Sequence, residues 1–154
     1  MARIVLITGG SRGIGRAVAA RFASHGDEVI VTGRDADTLT ATAKDIGARA
    51  LTCDATRPAD IAVLAREVGP ELDVLVNMAG GNTDLQRPGD ADQSLDAVAA
   101  AWRANLDANL LSAVLTTVAM RDKIRVGGSI ISVSSIGAEY ASTSYGAAKA
   151  AVAA

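Results

Sequence analysis

The sequence predicts an α/β fold in which a parallel sheet carries helices on both faces, the doubly wound arrangement. Apolar runs such as Ile4–Ile7 are short and continuous, which is typical of strands buried on both faces. Segments with the apolar spacing of helices lie between these runs, and glycines mark several turns. Strands that alternate with helices favour right-handed crossovers and a parallel sheet. The 154 residues, 49% of them hydrophobic, are therefore expected to form one domain with a substantial core.

The first half of the chain contains three predicted strands, each followed by a helix. The first strand, Ile4–Ile7, leads through a glycine-rich turn into a helix that opens at Gly13 and ends near Gly26. The elements that follow are the strand Val29–Val31, a helix from about Asp35 to Ile46 that Gly47 ends, the strand Arg49–Cys53, and a helix beginning near Pro58.

The second half continues the alternation with longer connections. Its predicted elements are the strand Leu72–Val76, a loop over Met78–Asp92, a long helix from about Gln93 to Met120, a fifth strand Ser129–Val133 preceded by Gly127-Gly128, a loop over Ser135–Ser144, and an alanine-rich helix that starts at Tyr145. The loop assignments follow from their glycine, proline, asparagine and aspartate content.

Composition and charge exclude several classes of function. The net charge of −2, with acidic and basic residues mixed along the chain, indicates neither a nucleic-acid-binding protein nor one that binds an anionic membrane. The run Ile4–Ile7 is too short for a signal core or a membrane span. His25 is the only histidine, so a histidine triad or metal cluster is not expected, and Cys53 is the only cysteine. One cysteine cannot form an internal disulfide, so we expect a cytoplasmic protein. Because there is no cluster of histidines or cysteines, we expect no metal.

The turn after the first strand has the composition of a phosphate-binding loop. It reads Thr8-Gly9-Gly10-Ser11-Arg12-Gly13-Ile14-Gly15. Glycines allow the backbone to approach a pyrophosphate closely, and the start of the following helix offers free N–H groups and a positive dipole end. An ordinary glycine-rich turn between strand and helix is the alternative explanation.

Tyr145 and Lys149 have the spacing of a cooperating pair on a helix. Residues four apart lie on one face, so the phenol and the ammonium can face the same ligand. A free phenol has a pKa of about 10, too high for easy proton exchange at neutral pH. A nearby ammonium favours the phenolate and lowers that pKa.

These segments together resemble the short-chain dehydrogenase/reductase family. The glycine turn matches the family fingerprint T-G-x-x-x-G-x-G, Tyr145 and Lys149 match Y-x-x-x-K, and the segment Asn77-Met78-Ala79-Gly80 stands where the family carries N-N-A-G. Met78 departs from that last pattern. It replaces an asparagine usually taken to support the central sheet, which puts the local bracing in doubt.

The resemblance implies a Rossmann-like NAD(P)-binding domain and hydride transfer between nicotinamide and a small carbonyl or alcohol substrate. Tyr145 would be the general acid/base, and Lys149 would tune it and hold the ribose. The cofactor-binding residues that the resemblance implies, together with the phosphate-binding turn, are Gly9, Ser11, Arg12, Gly13, Ile14, Gly15, Arg34, Asp54, Asn77, Ala79, Gly80, Tyr145 and Lys149. Asp54 matches the family's aspartate beside the adenine ring, with a turn or capping residue as the alternative.

Two further catalytic residues follow from the resemblance. Counting from Gly128 places the catalytic serine at Ser135, with Ser134 as its rival, although Tyr145 follows Ser135 at a shorter interval than is usual in the family. Asn109, seven residues after Trp102, matches the family's asparagine that holds a water in the proton relay. Asn105, one helical turn earlier, is the competitor.

The end of the second strand favours NADP(H) over NAD(H). NAD enzymes place an acidic residue there to bind the ribose hydroxyls. Here Gly33 is followed by Arg34, whose guanidinium suits a phosphate, and Arg12 could supply a second cation to the same 2′-phosphate. Asp35 is the counter-evidence, because it also lies about twenty residues past the glycines.

Members of this family are considerably longer than 154 residues. We therefore expect the domain over residues 1–154 to be incomplete at its C-terminus, and the full-length protein to be a homo-oligomer, a dimer or a tetramer. The alternative to an enzyme is a non-catalytic nucleotide-binding module or an inactive fragment of such an enzyme. Substrate identity and reaction direction are left open by the sequence.

Overall fold

The computed structural model describes residues 2–86, 94–140 and 142–154 and contains one five-stranded parallel sheet. The strands lie in the order β3-β2-β1-β4-β5, so β1 and β4 occupy the middle of the sheet. Their bounds are β1 Ile4–Ile7, β2 Glu28–Gly33, β3 Arg49–Thr52, β4 Leu72–Asn77 and β5 Ile124–Ser132. The chain reverses its direction of travel along the sheet between β1 and β4, which is where such sheets place ligands.

Within the residues given above, seven α-helices connect or follow these strands. They are α1 Gly13–Ser24, α2 Ala36–Ile46, α3 Pro58–Val68, α4 Leu95–Leu106, α5 Ser112–Met120, α6 Gly137–Tyr140 and α7 Ser144–Ala153. One π-helical turn, Asp107–Leu111, joins α4 to α5, and two 3₁₀ turns cover Thr83–Gln86 and Arg121–Lys123. In the described part of the chain, no helix is both long enough and apolar enough to cross a membrane.

The core has two apolar layers, one on each face of the sheet. Leu6 of β1 packs with residues of α3 and with Met120 of α5 on one face. Val5 and Ile7, which point the opposite way, pack with residues of α1 and α2 on the other, among them Leu39. Successive residues of a strand point to opposite faces, so a continuous apolar run supplies both layers. The predicted doubly wound arrangement is confirmed.

The fifth strand differs from its prediction. It begins at Ile124 rather than Ser129, so Gly127 and Gly128 lie inside the strand instead of preceding it. Leu72 pairs with Ile124 and Val74 pairs with Ser129, which leaves a bulge on the β5 side of this ladder. Gly127 has φ of +84°, a conformation that favours glycine, and this explains its place in the bulge.

Two other predicted boundaries also change. The predicted helix from Gln93 to Met120 is helical from Leu95, but its middle is the π-helical turn rather than a regular α-helix. The predicted loop over Ser135–Ser144 contains the short helix α6, and the final helix starts at Ser144. Part of the predicted loop Met78–Asp92 lies outside the described residues.

Candidate active site at the carboxyl ends of β1, β4 and β5

The turn between β1 and α1 is shaped for close approach of a ligand to the backbone. A Cβ atom at Gly15 would lie 2.2 Å from the carbonyl oxygen of Gly9, so only glycine fits there. Gly9 itself has φ of +69°. The residue before α1, Arg12, makes no side-chain cap, and the first turn of the helix contains no acidic residue. The N–H groups at the start of α1 thus keep their capacity to bind an anion.

Thr8 ties this turn to the segment that follows β4. Its buried hydroxyl oxygen accepts hydrogen bonds from the backbone N–H groups of Met78 (3.1 Å) and Ala79 (3.0 Å). A Cβ atom at Gly9 would lie 2.9 Å from the Cα of Ala79, so the two segments touch. This bracing therefore does not require an asparagine at position 78, because the hydrogen bond to Thr8 comes from the backbone N–H of Met78 and not from its side chain.

Asn77 braces the sheet from the end of β4. Its side-chain nitrogen donates to Thr117 Oγ1 at 2.9 Å and to Ser132 Oγ at 3.3 Å, which joins β4 to α5 and β5. The residue is 4% exposed, and its Oδ1 has no hydrogen-bond partner among the described residues. Its predicted contact with a cofactor stays a prediction.

Ser135 and Tyr145 both lie next to Gly137. A Cβ atom on Gly137 would be 3.5 Å from Ser135 Oγ and 3.7 Å from the Tyr145 ring. Ser135 Oγ accepts a hydrogen bond from the Gly137 N–H at 3.1 Å, which leaves its own proton available. The rival serine, Ser134, instead donates its proton to the Lys149 carbonyl oxygen at 2.8 Å. The geometry favours Ser135 as the serine that could act with Tyr145.

Lys149 lies beneath Tyr145 with its side chain buried. Its Nζ is 6.0 Å from the centre of the Tyr145 ring and donates to the Val133 carbonyl oxygen at 2.8 Å. The residue is 6% exposed, and burial lowers the pKa of its ammonium from the ordinary value of 10.5. The two side chains are therefore neighbours, and their joint role in proton transfer stays a prediction.

Asn109 lies within the π-helical turn, and its amide is extensively hydrogen-bonded. Its Oδ1 accepts from the Gly81 N–H at 3.0 Å, and its Nδ2 donates to the carbonyl oxygens of Gly81 (3.0 Å) and Asn105 (2.9 Å). A Cβ atom at Gly80 would lie 2.4 Å from Asn109 Oδ1, so this segment packs closely on the helix. Both donor hydrogens of the amide are used, so a water held by Asn109 would have to bind one of its oxygens.

Arg12 and Arg34 lie near the end of β2, where the carboxylate of Asp35 already accepts a hydrogen bond. Arg12 and Arg34 are exposed and form no ion pair with an acidic side chain of the described residues. Asp35 caps α2 by accepting a hydrogen bond from the Thr38 N–H at 2.7 Å, and this bond lowers the pKa of its carboxyl. Ser11 approaches the same strand end, because a Cβ at Gly33 would lie 3.3 Å from its Oγ.

Asp54 forms a local turn at the end of β3. Its Oδ1 accepts from the Thr56 N–H at 3.0 Å and from Thr56 Oγ1 at 2.8 Å. Burial opposes its ionisation, but the hydrogen bonds from Thr56 prevail and leave the pKa of Asp54 below its usual value. These contacts are those of the capping alternative. An adenine contact by Asp54 stays a prediction.

Several residues of this region were not predicted from the sequence. Thr8 was present in the fingerprint without a role, while Ser144 and Asp84 carried no signal at all. Asn105, considered only as a substitute for Asn109, contacts Ser144. Among the residues that the structure describes, no group of three histidine, cysteine, aspartate or glutamate side chains could hold a metal ion.

Comparisons with known proteins identify the family and the fold. The family model described as short chain dehydrogenase matches residues 3–154. A Mycobacterium tuberculosis protein named only as an oxidoreductase is 38% identical over 130 residues, which is 84% of this chain and 57% of that protein. The mouse 3-oxoacyl-[acyl-carrier-protein] reductase is 35% identical over 144 residues, 88% of this chain and 57% of the enzyme.

Solved structures give the same result. The Pseudomonas aeruginosa RhlG complex with NADP superposes with a TM-score of 0.83 at 29% identity, covering 99% of this chain and 64% of that one. A short chain dehydrogenase from Burkholderia cenocepacia in complex with NADP gives a TM-score of 0.82 at 32% identity, covering 98% and 64%. The chain thus spans about three fifths of the length of the proteins that it matches.

Proposed function

The chain belongs to the short-chain dehydrogenase family, and from this premise we propose that it is the cofactor-binding and catalytic part of an NADP(H)-dependent oxidoreductase. The proposal rests chiefly on one observation, that Tyr145 and Ser135 both lie next to Gly137 and that the buried Lys149 lies near the tyrosine ring. A phenol, a hydroxyl and an ammonium converge at the carboxyl end of β5, where parallel sheets bind ligands.

The residues of the glycine turn suit a dinucleotide. The crowding at Gly9 and Gly15 leaves room for backbone but not for side chains, and the start of α1 keeps N–H groups for a pyrophosphate. Gly13, Ile14, Ala79 and Gly80 would contribute to the same cradle, because the segment after β4 lies against the turn through Thr8. Lys149 would hold the nicotinamide ribose hydroxyls.

The proposed reaction divides the work between cofactor and protein. The nicotinamide supplies or accepts a hydride. In the reductive direction, Tyr145 donates a proton to the carbonyl oxygen of the substrate. Ser135 donates a hydrogen bond to the same oxygen and thereby orients the carbon. Lys149 stabilises the phenolate that remains, and a water on Asn109 would return a proton from solvent.

The cofactor is proposed to be NADP(H) rather than NAD(H). One oxygen of the Asp35 carboxylate accepts from the N–H of Thr38 and caps α2, so a structural role accounts for an acidic residue at this position. Arg12 and Arg34 are exposed guanidinium groups that form no direct ion pair with a described carboxylate, although their charges act on Asp35 and Asp54 from a greater distance. Two solved relatives in complexes with NADP support the same choice.

The proposed substrate is a small carbonyl or alcohol compound. The mouse relative is named as a reductase of 3-oxoacyl groups on acyl carrier protein, which makes 3-oxoacyl thioesters a reasonable first substrate to test. We also propose a homo-oligomeric, cytoplasmic protein. Apolar residues exposed on α5 and β5, such as Val118 and Ile131, are consistent with association.

The catalytic assignment is tested with Tyr145→Phe, which removes the hydroxyl and keeps the ring. In a polypeptide that includes this chain, we expect ketone-dependent NADPH oxidation to fall by at least about a hundredfold, as for loss of a general acid. NADPH binding, measured by calorimetry, should change little. Tyr140→Phe is the matched control, because Tyr140 is the only other tyrosine and is exposed.

The same experiment distinguishes the alternative function. A non-catalytic nucleotide-binding module would bind NADPH but would not oxidise it with any ketone of the panel. Near-normal turnover in Tyr145→Phe would show that another group donates the proton.

A further inference from the structure

Tyr145 occupies a position in its helix that is prone to movement. It is the second residue of α7. Helix ends fray. The place of the Tyr145 hydroxyl therefore depends on contacts between the start of α7 and the rest of the protein.

The residue before the tyrosine makes such contacts. Ser144 is 5% exposed, and its hydroxyl lies between two polar side chains from distant parts of the chain. Asn105 Nδ2 donates to Ser144 Oγ at 2.8 Å, and Ser144 Oγ donates to Asp84 Oδ2 at 2.8 Å. Asn105 Oδ1 accepts from the Thr83 N–H at 3.1 Å. These hydrogen bonds join α4, the start of α7 and the segment that follows β4.

The direction of each hydrogen bond is determined by chemistry. The Thr83 N–H can only donate, so the oxygen of the Asn105 amide must face it and the amide nitrogen must face Ser144. An ionised Asp84 carboxylate can only accept, so the Ser144 hydroxyl must donate to it. Asn105 is completely buried, and an unpaired polar side chain there would be costly. The Asn105 amide and the Ser144 hydroxyl thus each have hydrogen-bond partners and a fixed donor or acceptor direction.

Ser144 is not needed to complete the helix. The adjacent Thr143 caps α7, because its Oγ1 accepts from the Gly146 N–H at 3.0 Å. Asn105 is also not needed to fill space, since an apolar side chain could do so without desolvation of an amide. What Asn105, Ser144 and Asp84 add is a specific location for the residue that precedes Tyr145.

We propose that Asn105, Ser144 and Asp84 are positioning residues, which hold the hydroxyl of Tyr145 at its working distance from Ser135. The inference rests on the proposed function, because it takes Tyr145 as the proton donor. It also links the segment after β4 to the tyrosine, since Asp84 and Thr83 belong to that segment. Misplacement of a reacting group by about 1 Å can cost about a hundredfold in rate.

The test compares Asp84→Ala with Asp84→Asn and Ser144→Ala in the full-length active polypeptide. Asp84→Ala and Ser144→Ala should lower kcat roughly tenfold to a hundredfold, while the Kd for NADPH stays within about twofold. Asp84→Asn keeps a carbonyl oxygen for Ser144 and should retain most of the kcat. Asp84 is only partly buried, so its variants test the proposal even if Ser144→Ala impairs folding.

Ser112→Ala is the matched control for Ser144→Ala. Ser112 is also buried, and its hydroxyl donates to the Ala108 carbonyl oxygen at 2.7 Å, a bond between the start of α5 and the preceding π-helical turn. We expect kcat to be unchanged in this variant. The double variant Ser144→Ala with Asp84→Ala should lose no more than Ser144→Ala alone, because Ser144→Ala already removes the hydrogen bond that Asp84→Ala removes.

Three results would overturn the positioning role alone: an Asp84→Ala enzyme with normal kcat, an Asp84→Asn enzyme as impaired as Asp84→Ala, or a loss of NADPH affinity parallel to the loss of kcat. A wild-type protein that binds NADPH but reduces no ketone would instead overturn the proposed function, and this assignment with it.

Discussion

At the scale of single residues, Lys149 belongs to the proposed active site, but its charged side chain is buried, which is unfavourable for a charge. Its side chain is buried, and its ammonium donates a hydrogen bond to the Val133 carbonyl oxygen. Burial lowers its pKa in the folded protein relative to 10.5. The unfolded chain therefore holds this proton more readily than the folded one, which means that the charge opposes folding at neutral pH.

This balance predicts that Lys149→Met abolishes turnover without loss of stability. The free energy of unfolding at neutral pH should stay unchanged or rise by up to about 2 kcal/mol, because the desolvated charge is removed. The gain should shrink as the pH rises towards about 10, where the lysine loses its proton in both states. Denaturant unfolding at the two pH values measures both effects.

Lys123→Met is the matched control for this prediction. Lys123 also donates to a backbone carbonyl oxygen, that of Gly69 at 2.6 Å, but it is less buried and lies away from the tyrosine. Its replacement should leave turnover intact. A loss of more than about 1 kcal/mol of stability in Lys149→Met would contradict the argument, since a typical hydrogen bond contributes about that much.

At the scale of elements, the turn between β1 and α1 depends on how closely two stretches of backbone approach. Gly15→Ala would bring a Cβ atom to 2.2 Å from the Gly9 carbonyl oxygen, and neither backbone segment can move freely. We expect a loss of roughly 1–3 kcal/mol in stability, as for other overpacked sites. NADPH binding should be lost as well, because the turn must open to admit the methyl group.

Gly26→Ala separates crowding from backbone strain. Gly26 ends α1 with φ of +82° and has open space around its Cα, so alanine there adds strain but no collision. It should reduce stability by about 1 kcal/mol and leave NADPH affinity unchanged. Calorimetry measures NADPH affinity, and thermal melting measures stability, for both variants. Equal NADPH affinity in both would exclude a role for the glycine turn in binding the pyrophosphate.

The long helix shows a second property of elements. Its regular hydrogen bonding is interrupted by the π-helical turn Asp107–Leu111, and Asn109 lies within that turn. Such turns occur frequently at functional sites. Here the turn accompanies the packing of Asn109 against Gly80 and Gly81, which brings the segment after β4 onto the helix.

At the scale of the whole molecule, a cofactor that binds only the folded state raises its stability. NADPH at about a hundred times its Kd should add about 2.7 kcal/mol to the free energy of unfolding. NADH at the same concentration should add less, because it lacks the phosphate that Arg12 and Arg34 are proposed to bind. Melting temperatures with each nucleotide measure this difference directly.

In Arg34→Ala, NADPH and NADH should raise the melting temperature by similar amounts. Arg21→Ala is the control, since Arg21 lies in the last turn of α1, at the opposite end of that helix from the glycine turn. Stronger stabilisation by NADH in the wild type would reverse the assignment of the cofactor and return Asp35 to consideration.

The sequence by itself determined the order and type of most elements, the parallel sheet, the glycine turn and the spacing of Tyr145 and Lys149. These features depend on local properties, namely apolar periodicity, glycine at close approaches and the pitch of a helix. The choice between Ser134 and Ser135 needs the tertiary structure, because the two are adjacent in the sequence and differ in their hydrogen-bond partners. The same holds for the bulge in β5, which depends on how that strand pairs with β4. The contact of Asp84 with Ser144 joins residues 60 positions apart, and no local pattern encodes a hydrogen bond across that distance.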